Sequence, residues 1–195
     1  MSTPPAVRPT LRVGKVPGVT VTKWRGVWGE RFPRLRLEVV DVEEQDQRRA
    51  LVDGEVELCF VRLPVDGDGL HLIRLYEELP VAWVSKDHVV AAADAVSLAE
   101  LADEDVLTEI TPHNLDLVSI GEAVLLVPAS VARTHSRRDF VAVPISDAPS
   151  TTVGIAWLAD NPHELIDEFV GIVRGRTANS SRTAQARAGK GKAQS

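Results

Sequence analysis

Apolar and polar positions along the first third of the chain predict strands and helices in turn. Short runs rich in apolar and β-branched residues predict strands, and apolar residues that recur every three or four positions predict helices. Predicted strands occupy residues 11–16, 35–40 and 56–61, and predicted helices occupy residues 21–32 and 45–52. Thr20 or Thr22 is placed to cap the first helix. Strand, helix, strand, helix and strand within about fifty residues are typical of a parallel sheet with right-handed crossovers.

Shorter elements follow along the rest of the apolar region. Further predicted strands occupy residues 70–75, 79–84, 123–127, 140–143 and 152–157, and residues 105–108 are predicted to be extended. Predicted helices occupy residues 96–101, 115–120, 130–135 and 164–173. The last helix closes the fold and has its apolar residues on one face.

Composition places the chain among globular proteins with a core. It has 195 residues, of which 44% are hydrophobic and 26% charged, and these proportions exclude a wholly disordered or fibrous chain. The single cysteine, Cys59, excludes an intramolecular disulfide framework and a cysteine-based zinc cluster. No apolar run approaches the roughly 20 residues of a membrane helix, and residues 1–10 lack the apolar stretch of a secretory signal. We therefore expect a cytoplasmic protein with no membrane contact.

Charge is divided unevenly between an acidic body and a basic C-terminal tail. The chain has 22 basic and 28 acidic residues and a formal net charge of −6. Residues 174–195 hold six basic residues and no acidic one, which leaves 16 basic and 28 acidic residues in the first 173. The tail has no apolar periodicity, so we expect it to be disordered. It is either a solubilising terminus or a segment that makes weak, salt-sensitive contacts with nucleic acid or an acidic partner.

The sequence lacks the motifs of the common enzyme classes. It has no Gly-x-Ser-x-Gly elbow, no phosphate-binding loop and no dinucleotide-binding glycine fingerprint. The five histidines are far apart and form no metal-ligand pair. Glu43-Glu44 and Glu77-Glu78 are adjacent, and adjacent side chains point apart on a regular element, which predicts solvated faces. We therefore expect no catalytic residue, no metal and no cofactor.

Several short segments, taken in order, resemble one known family. They are Arg12-Val13-Gly14, Phe32-Pro33, residues 51–58, Val61-Arg62-Leu63-Pro64, residues 79–88, residues 121–128, Val141-Ala142-Val143-Pro144 and Ala156-Trp157. In this order and spacing the chain resembles the substrate-binding (effector) domain of LysR-type transcriptional regulators. The family's helix-turn-helix, which precedes this domain, is not found in the sequence. We therefore expect no sequence-specific DNA binding by the domain itself.

The resemblance implies an α/β fold with two lobes, of the periplasmic-binding-protein-like type 2 class, and a truncated second lobe. Residues 10–84 and 154–173 would form the first lobe, and residues 85–153 would form the second, which is shortened between Leu107 and Leu115. It also implies a non-catalytic effector-binding module in transcriptional regulation, acting through a regulator partner or a homodimer. The alternative is a ligand-free interaction or dimerisation module with a vestigial cleft.

Candidate binding residues in the first lobe follow the first and third strands. In such folds the ligand lies between the lobes, where strands end and helices begin, and helix starts favour a negative group. After the first strand these residues are Pro17, Gly18, Val19, Thr20 and Thr22. Arg62, after the third strand, can hold a carboxylate with a bidentate fork, or it only pairs with an acidic residue of the chain.

The second lobe contributes candidates through the resemblance alone. Thr108, Ser119 and Ile120 match the positions that face the cleft in the family. Together with Arg62, they imply a small carboxylate or polar metabolite as the ligand. If Thr108, Ser119 and Arg62 line one enclosed cavity, the ligand-sensing module is favoured over the ligand-free interaction module.

Overall fold

Two sheets organise the residues that the computed structural model describes, which are 10–135 and 137–175. The strands are β1 (Thr10–Lys15), β2 (Arg36–Asp41), β3 (Leu58–Arg62), β4 (Leu70–Glu78), β5 (Pro80–Ser85), β6 (Val106–Leu107), β7 (Val124–Pro128), β8 (Phe140–Pro144) and β9 (Thr151–Leu158). The α-helices are α1 (Thr22–Arg31), α2 (Gln47–Val52), α3 (Pro112–Ser119), α4 (Ala129–His135) and α5 (Leu165–Val173). Short 3₁₀ helices lie at Glu44–Asp46, Val89–Ala92 and Ala99–Leu101.

The first sheet has the strand order β2-β1-β3-β9-β4 and forms the first lobe. β1 runs parallel to both β2 and β3, which confirms the arrangement predicted for the first three strands. β9 returns from the second lobe and pairs antiparallel with β3 and β4. Successive β3 residues point to opposite faces. Phe60 packs in the apolar cluster of α1 and α5, and Cys59 packs in the cluster of α2, so helices cover both faces of the sheet.

Aromatic contacts hold α1 on this sheet. Trp24 stacks on Phe60 with ring centroids 4.8 Å apart, and Trp28 approaches Phe169 of α5 at 5.8 Å. Trp28 is 2% exposed, and its indole N–H donates to the Leu35 carbonyl at 3.2 Å. Of the tryptophans that indicated a helix in the sequence, Trp28 is therefore a core residue of the first lobe, and Trp24 is partly buried and packs against that core.

The second sheet has the strand order β6-β7-β5-β8, and its central strand β5 corrects the predicted lobe boundary. Residues 79–84 were predicted as part of the first lobe, but β5 pairs with β7 and β8. All six β5 residues are buried. Trp83 faces the cluster of α3 and α4, whereas Ala82 and Val84 face the cluster of the 3₁₀ helices. A strand buried on both faces belongs inside a sheet, and β5 is what the second lobe is built around.

Two helix starts differ from the prediction because of local capping chemistry. The residue before α1 is Val21, whose side chain has no group that can accept a hydrogen bond. No side chain caps this helix, so the predicted caps Thr20 and Thr22 are wrong. α3 begins three residues before the predicted helix 115–120. Thr111 Oγ1 accepts from the Asn114 N–H at 3.1 Å, and Pro112 takes the first helical position, where its missing N–H costs nothing.

Only the start of the predicted basic tail lies within the described residues. The Arg174 N–H donates to the Val170 carbonyl and the Gly175 N–H to the Ile172 carbonyl, both at 3.0 Å, and these bonds close α5. The disorder predicted for residues 176–195 lies outside the described residues.

Candidate functional site

A cavity of about 740 Å³ lies where strands of both lobes end. From the first lobe it is lined by residues at or after the ends of the parallel strands β1, β2 and β3, and from the second lobe by residues at or after the ends of the parallel strands β6 and β7. First-lobe residues are Pro17, Glu43, Glu44, Gln45, Gln47, Arg62 and Pro64, and second-lobe residues are Thr108, Glu109, Ile110, Thr111, Val127, Pro128, Val131 and His135. Ligands of open α/β sheets bind at this edge, outside the carboxyl ends of parallel strands.

Gly18 brings the loop after β1 into contact with the second lobe. Its φ is +87°, and a Cβ built on it would lie 2.3 Å from Ser130 Oγ and 2.9 Å from the Val131 backbone nitrogen. The absence of a side chain at Gly18 thus lets the backbone approach α4, and Gly18 also lines two recesses beside this contact, so its contact with a ligand stays a prediction. Ser130 Oγ is buried and has no hydrogen-bond partner among the described residues.

Arg62 joins the ends of three first-lobe segments. Its side chain is 3% exposed, Nη1 donates to Glu44 Oε2 at 3.1 Å, and Nη2 donates to Glu78 Oε2 at 2.8 Å. Both Nη atoms also lie 3.2 Å from the Pro17 carbonyl oxygen, and Gln47 makes two 2.9 Å bonds with the Arg62 backbone. The guanidinium fork that we expected to hold a ligand carboxylate is therefore occupied by two carboxylates of this chain.

Thr108 and the two expected residues at the end of α3 have different positions. Thr108 lines the cavity, and its hydroxyl makes no hydrogen bond within the described residues. Ser119 and Ile120 do not line it; Ile120 is 68% exposed. They follow Thr111 by about one α3 length, roughly 12 Å at 1.5 Å per residue. The end of α3 that faces the cavity is its start, so Ser119 and Ile120 lie away from this cavity, and their contact with a ligand stays a prediction.

Thr20, Thr22 and Val19 lie beside this cavity. They line a recess of about 480 Å³ that shares Pro17, Glu43 and His135 with it. Val19 is only 1% exposed and packs in the first-lobe core, so its main contact is with the core. The expected cluster at residues 17–22 is thus divided among the cavity, the recess and the core.

A further recess of about 560 Å³ lies against the contact between Gly18 and Ser130. Tyr76 of β4 lines it. Burial raises the pKa of the Tyr76 phenol, and the Glu78 carboxylate raises it further, while Arg62 and Arg133 act in the opposite direction. The phenol therefore stays protonated at neutral pH and remains a hydrogen-bond donor.

Residues that sequence reasoning missed give the cavity its charge. The Glu43 and Glu109 carboxylates have no hydrogen-bond or ion-pair partner in the part of the chain that the structure describes. Glu43 comes from the first lobe and Glu109 from the second, and both line the cavity. The sequence signals were present: Glu43-Glu44 follows a predicted strand, and Thr111-Pro112, two residues after Glu109, is a helix start.

Neither a metal centre nor a membrane span is found in residues 10–135 and 137–175. No group of three or more histidine, cysteine, aspartate or glutamate side chains there could hold a metal ion. No helix of that region is long and apolar enough to cross a membrane.

Comparison with curated proteins finds transcriptional regulators. The HTH-type transcriptional regulator CatR of Pseudomonas putida is 28% identical in an alignment 144 residues long, which covers 58% of this chain and 49% of CatR. The HTH-type transcriptional regulator BudR of Raoultella terrigena is 31% identical over 75 residues, 38% of this chain and 26% of BudR. The chain thus spans about half or less of the length of these relatives.

Comparison with solved structures identifies the fold. A crystal structure of the effector-binding domain of a BenM variant matches with a TM-score of 0.73 and 21% identity over 89% of this chain and 97% of that chain. The BenM effector-binding domain with its effector benzoate matches with a TM-score of 0.70 and 21% identity over 97% of both chains. The two-lobed α/β fold is therefore the periplasmic-binding-protein-like type 2 fold of LysR effector-binding domains. The family model for the LysR substrate binding domain matches residues 6–114, more than half of the chain, and the chain belongs to that family.

Proposed function

We propose that this domain binds a small polar effector between its lobes and relays its presence to transcription through a homodimer or a regulator partner. The observation that carries the proposal is the cavity of about 740 Å³, to which both lobes contribute polar side chains. Small-molecule sites typically measure about 300–1,000 Å³ and combine an apolar lining with a few polar groups. Ile110, Val127 and Val131 supply the apolar part here.

Thr108 is the residue of the expected set that is best suited to contact a ligand. Thr108 lines the cavity, and its hydroxyl has no hydrogen-bond partner within the described residues, so it is available as a donor and an acceptor. Pro17 lines the same cavity, but both Nη atoms of Arg62 already lie near its carbonyl oxygen. Thr20 and Thr22 would contact only a ligand that extends into the neighbouring recess.

Two residues connect the cavity to the place where the lobes are in contact. Pro17 and Val131 both line the cavity, and each is next to a residue of the contact between Gly18 and Ser130. A ligand that touches both residues would change the packing where the lobes meet. Such a change in lobe packing is what a dimer partner or a second chain could detect.

A thermal-shift screen with a matched pair of variants tests the proposal. The panel contains carboxylates, amines, amino acids and neutral polar molecules, and a ligand at a hundred times its Kd adds about 2.7 kcal/mol to stability. Thr108→Ala should weaken binding about threefold to tenfold, the loss of one neutral hydrogen bond. Ser119→Ala, at the far end of α3, should leave it unchanged. A panel without any saturable shift contradicts the proposal and favours the ligand-free interaction module.

A further inference from the structure

The recess beside the contact between Gly18 and Ser130 receives side chains from both lobes and is separate from the larger cavity. Its volume is about 560 Å³, and it shares no lining residue with the cavity of about 740 Å³. Thr20 and Tyr76 of β4 line it from the first lobe, and Ser130 and Arg133 of α4 line it from the second. A group bound in this recess would therefore contact both lobes at the place where they meet.

The hydroxyl of Ser130 is the observation that points to a ligand in this recess. Ser130 is 8% exposed, and its Oγ is buried and makes no hydrogen bond within the described residues. Nearly all buried polar groups of native proteins have a hydrogen-bond partner, because burying such a group without one is unfavourable. The Ser130 hydroxyl thus lacks a partner that the described part of the chain does not supply.

Two further donors line the same recess without an acceptor. Arg133 follows Ser130 by three positions, which places both side chains on one face of α4 with Cβ atoms about 5–6 Å apart. The Arg133 guanidinium makes no hydrogen bond or ion pair in residues 10–135 and 137–175. Tyr76 lies close enough for the charge of Arg133 to act on its phenol, which also makes no hydrogen bond there. Three donors without acceptors therefore line one recess.

The acidic side chains of the recess already have partners. Glu78 contacts Arg62 at 2.8 Å, and Glu77 Oε2 accepts from Ser150 Oγ at 3.0 Å. Glu77 and Glu78 are balanced by Arg133 and Arg62, so these four groups have no net charge. The donors that remain require an acceptor. A carboxylate supplies two acceptor oxygens, and a guanidinium can bind both of them at once.

We infer that this recess is a second binding site, which holds a small carboxylate between the guanidinium of Arg133 and the hydroxyls of Ser130 and Tyr76. The inference goes beyond the proposed function and does not depend on it, because the recess and the larger cavity share no lining residue. Leu79, which is 62% exposed, provides an apolar surface in the recess for the body of the ligand. A carboxylate held by Tyr76 and Arg133 joins the two lobes and stabilises the contact between them.

Two probes of similar size and shape isolate the role of the carboxylate: benzoate and the neutral benzamide. Their binding to the full chain is measured by ligand-observed NMR and calorimetry at millimolar concentration, neutral pH and low salt. We expect benzoate to bind at least about tenfold more tightly than benzamide, because hydrogen bonds to a charged group are stronger than neutral ones. Added salt should weaken benzoate binding. Equal affinities of the two probes, or no saturable binding of benzoate, would overturn the inference.

Matched variants locate the bound carboxylate. Arg133→Gln should weaken benzoate binding about tenfold, and Tyr76→Phe and Ser130→Ala should each weaken it about threefold to tenfold. Arg138→Gln removes the same charge from an exposed position outside the recess, so it should leave the affinity unchanged. Equal losses in Arg133→Gln and Arg138→Gln would show an effect of net charge alone and overturn the inference.

The stability of the ligand-free variants separates binding from a structural role. Ser130→Ala and Tyr76→Phe should not lower the melting temperature of the free protein, because neither hydroxyl has a partner to lose. A lower melting temperature with unchanged affinity for benzoate would show that these hydroxyls are structural and overturn the inference. Benzoate binding that is lost in Thr108→Ala and kept in Arg133→Gln would place the probe in the larger cavity, which overturns the second site and leaves the proposed function standing.

Discussion

Replacement of Gly18 by alanine tests whether the loop after β1 fits against the second lobe as the structure shows. Gly18 has a φ of +87°, and a Cβ would lie 2.3 Å from Ser130 Oγ and 2.9 Å from the Val131 backbone nitrogen. The left-handed backbone costs an alanine about 1–2 kcal/mol. Overpacking against α4 adds about 1–3 kcal/mol, because a backbone atom cannot rotate away. The free energy of unfolding should therefore fall by about 2–5 kcal/mol in total.

The matched control separates the two contributions. Gly121 has a similar φ of +79°, but nothing lies within 4 Å of a Cβ built on it, so Gly121→Ala should cost only the backbone term. Urea denaturation of both variants gives the difference, which we expect to be about 1–3 kcal/mol. Replacing Ser130 with glycine in the Gly18→Ala protein should recover part of it. Equal losses for Gly18→Ala and Gly121→Ala would refute the close contact between the lobes.

Three further predictions concern buried and capping groups. Arg62→Met leaves the Glu78 carboxylate, 9% exposed, without its 2.8 Å partner. It should lower the free energy of unfolding by about 3–5 kcal/mol, and addition of Glu78→Gln to Arg62→Met should restore much of the lost stability. Equal losses in the single and the double variant would contradict the ion pair. Thr111→Ala removes the α3 cap and should cost about 1 kcal/mol in urea denaturation. Ser119→Ala should stay within about 0.5 kcal/mol, and a cost equal to that of Thr111→Ala would argue against the cap. Burial raises the pKa of the Cys59 thiol to about 12, so a disulfide reagent at mildly alkaline pH should modify it only after unfolding, and a fast reaction of the native protein would contradict that burial.

Local pattern predicted the elements better than their assembly. The parallel start of the first sheet follows from short apolar runs separated by helical spacing, and β1, β2 and β3 pair as expected. The lobe to which β5 belongs was not predictable in this way. Its partners β7 and β8 lie about 40 to 60 residues farther along the chain, and a run of six buried residues has no preference for one sheet over another.

Arg62 shows why the site was only partly predictable. An arginine at the end of a strand can bind a ligand carboxylate or an acidic side chain, and the sequence left both open. In the structure two acidic side chains occupy Arg62, because the 3₁₀ helix at Glu44 and the end of β4 at Glu78 meet at the same guanidinium. These positions are 18 and 16 residues from Arg62, so only the folded sheet brings them together.

The loop at Pro17-Gly18 connects the main features of the site. The Pro17 carbonyl is held by Arg62, which also holds the end of β4 through Glu78, directly before the chain crosses to the second lobe. The next residue, Gly18, packs on α4, whose Val131 lines the cavity. Any ligand that contacts Pro17 and Val131 therefore shares atoms with the contact between the lobes. A ligand that binds both lobes stabilises the contact between them. Because coupling is reciprocal, a substitution that weakens this contact at Gly18 must lower the affinity for the ligand by the same factor. Gly18→Ala should consequently weaken binding although its added methyl group points at α4, whereas Gly121→Ala should leave it unaltered.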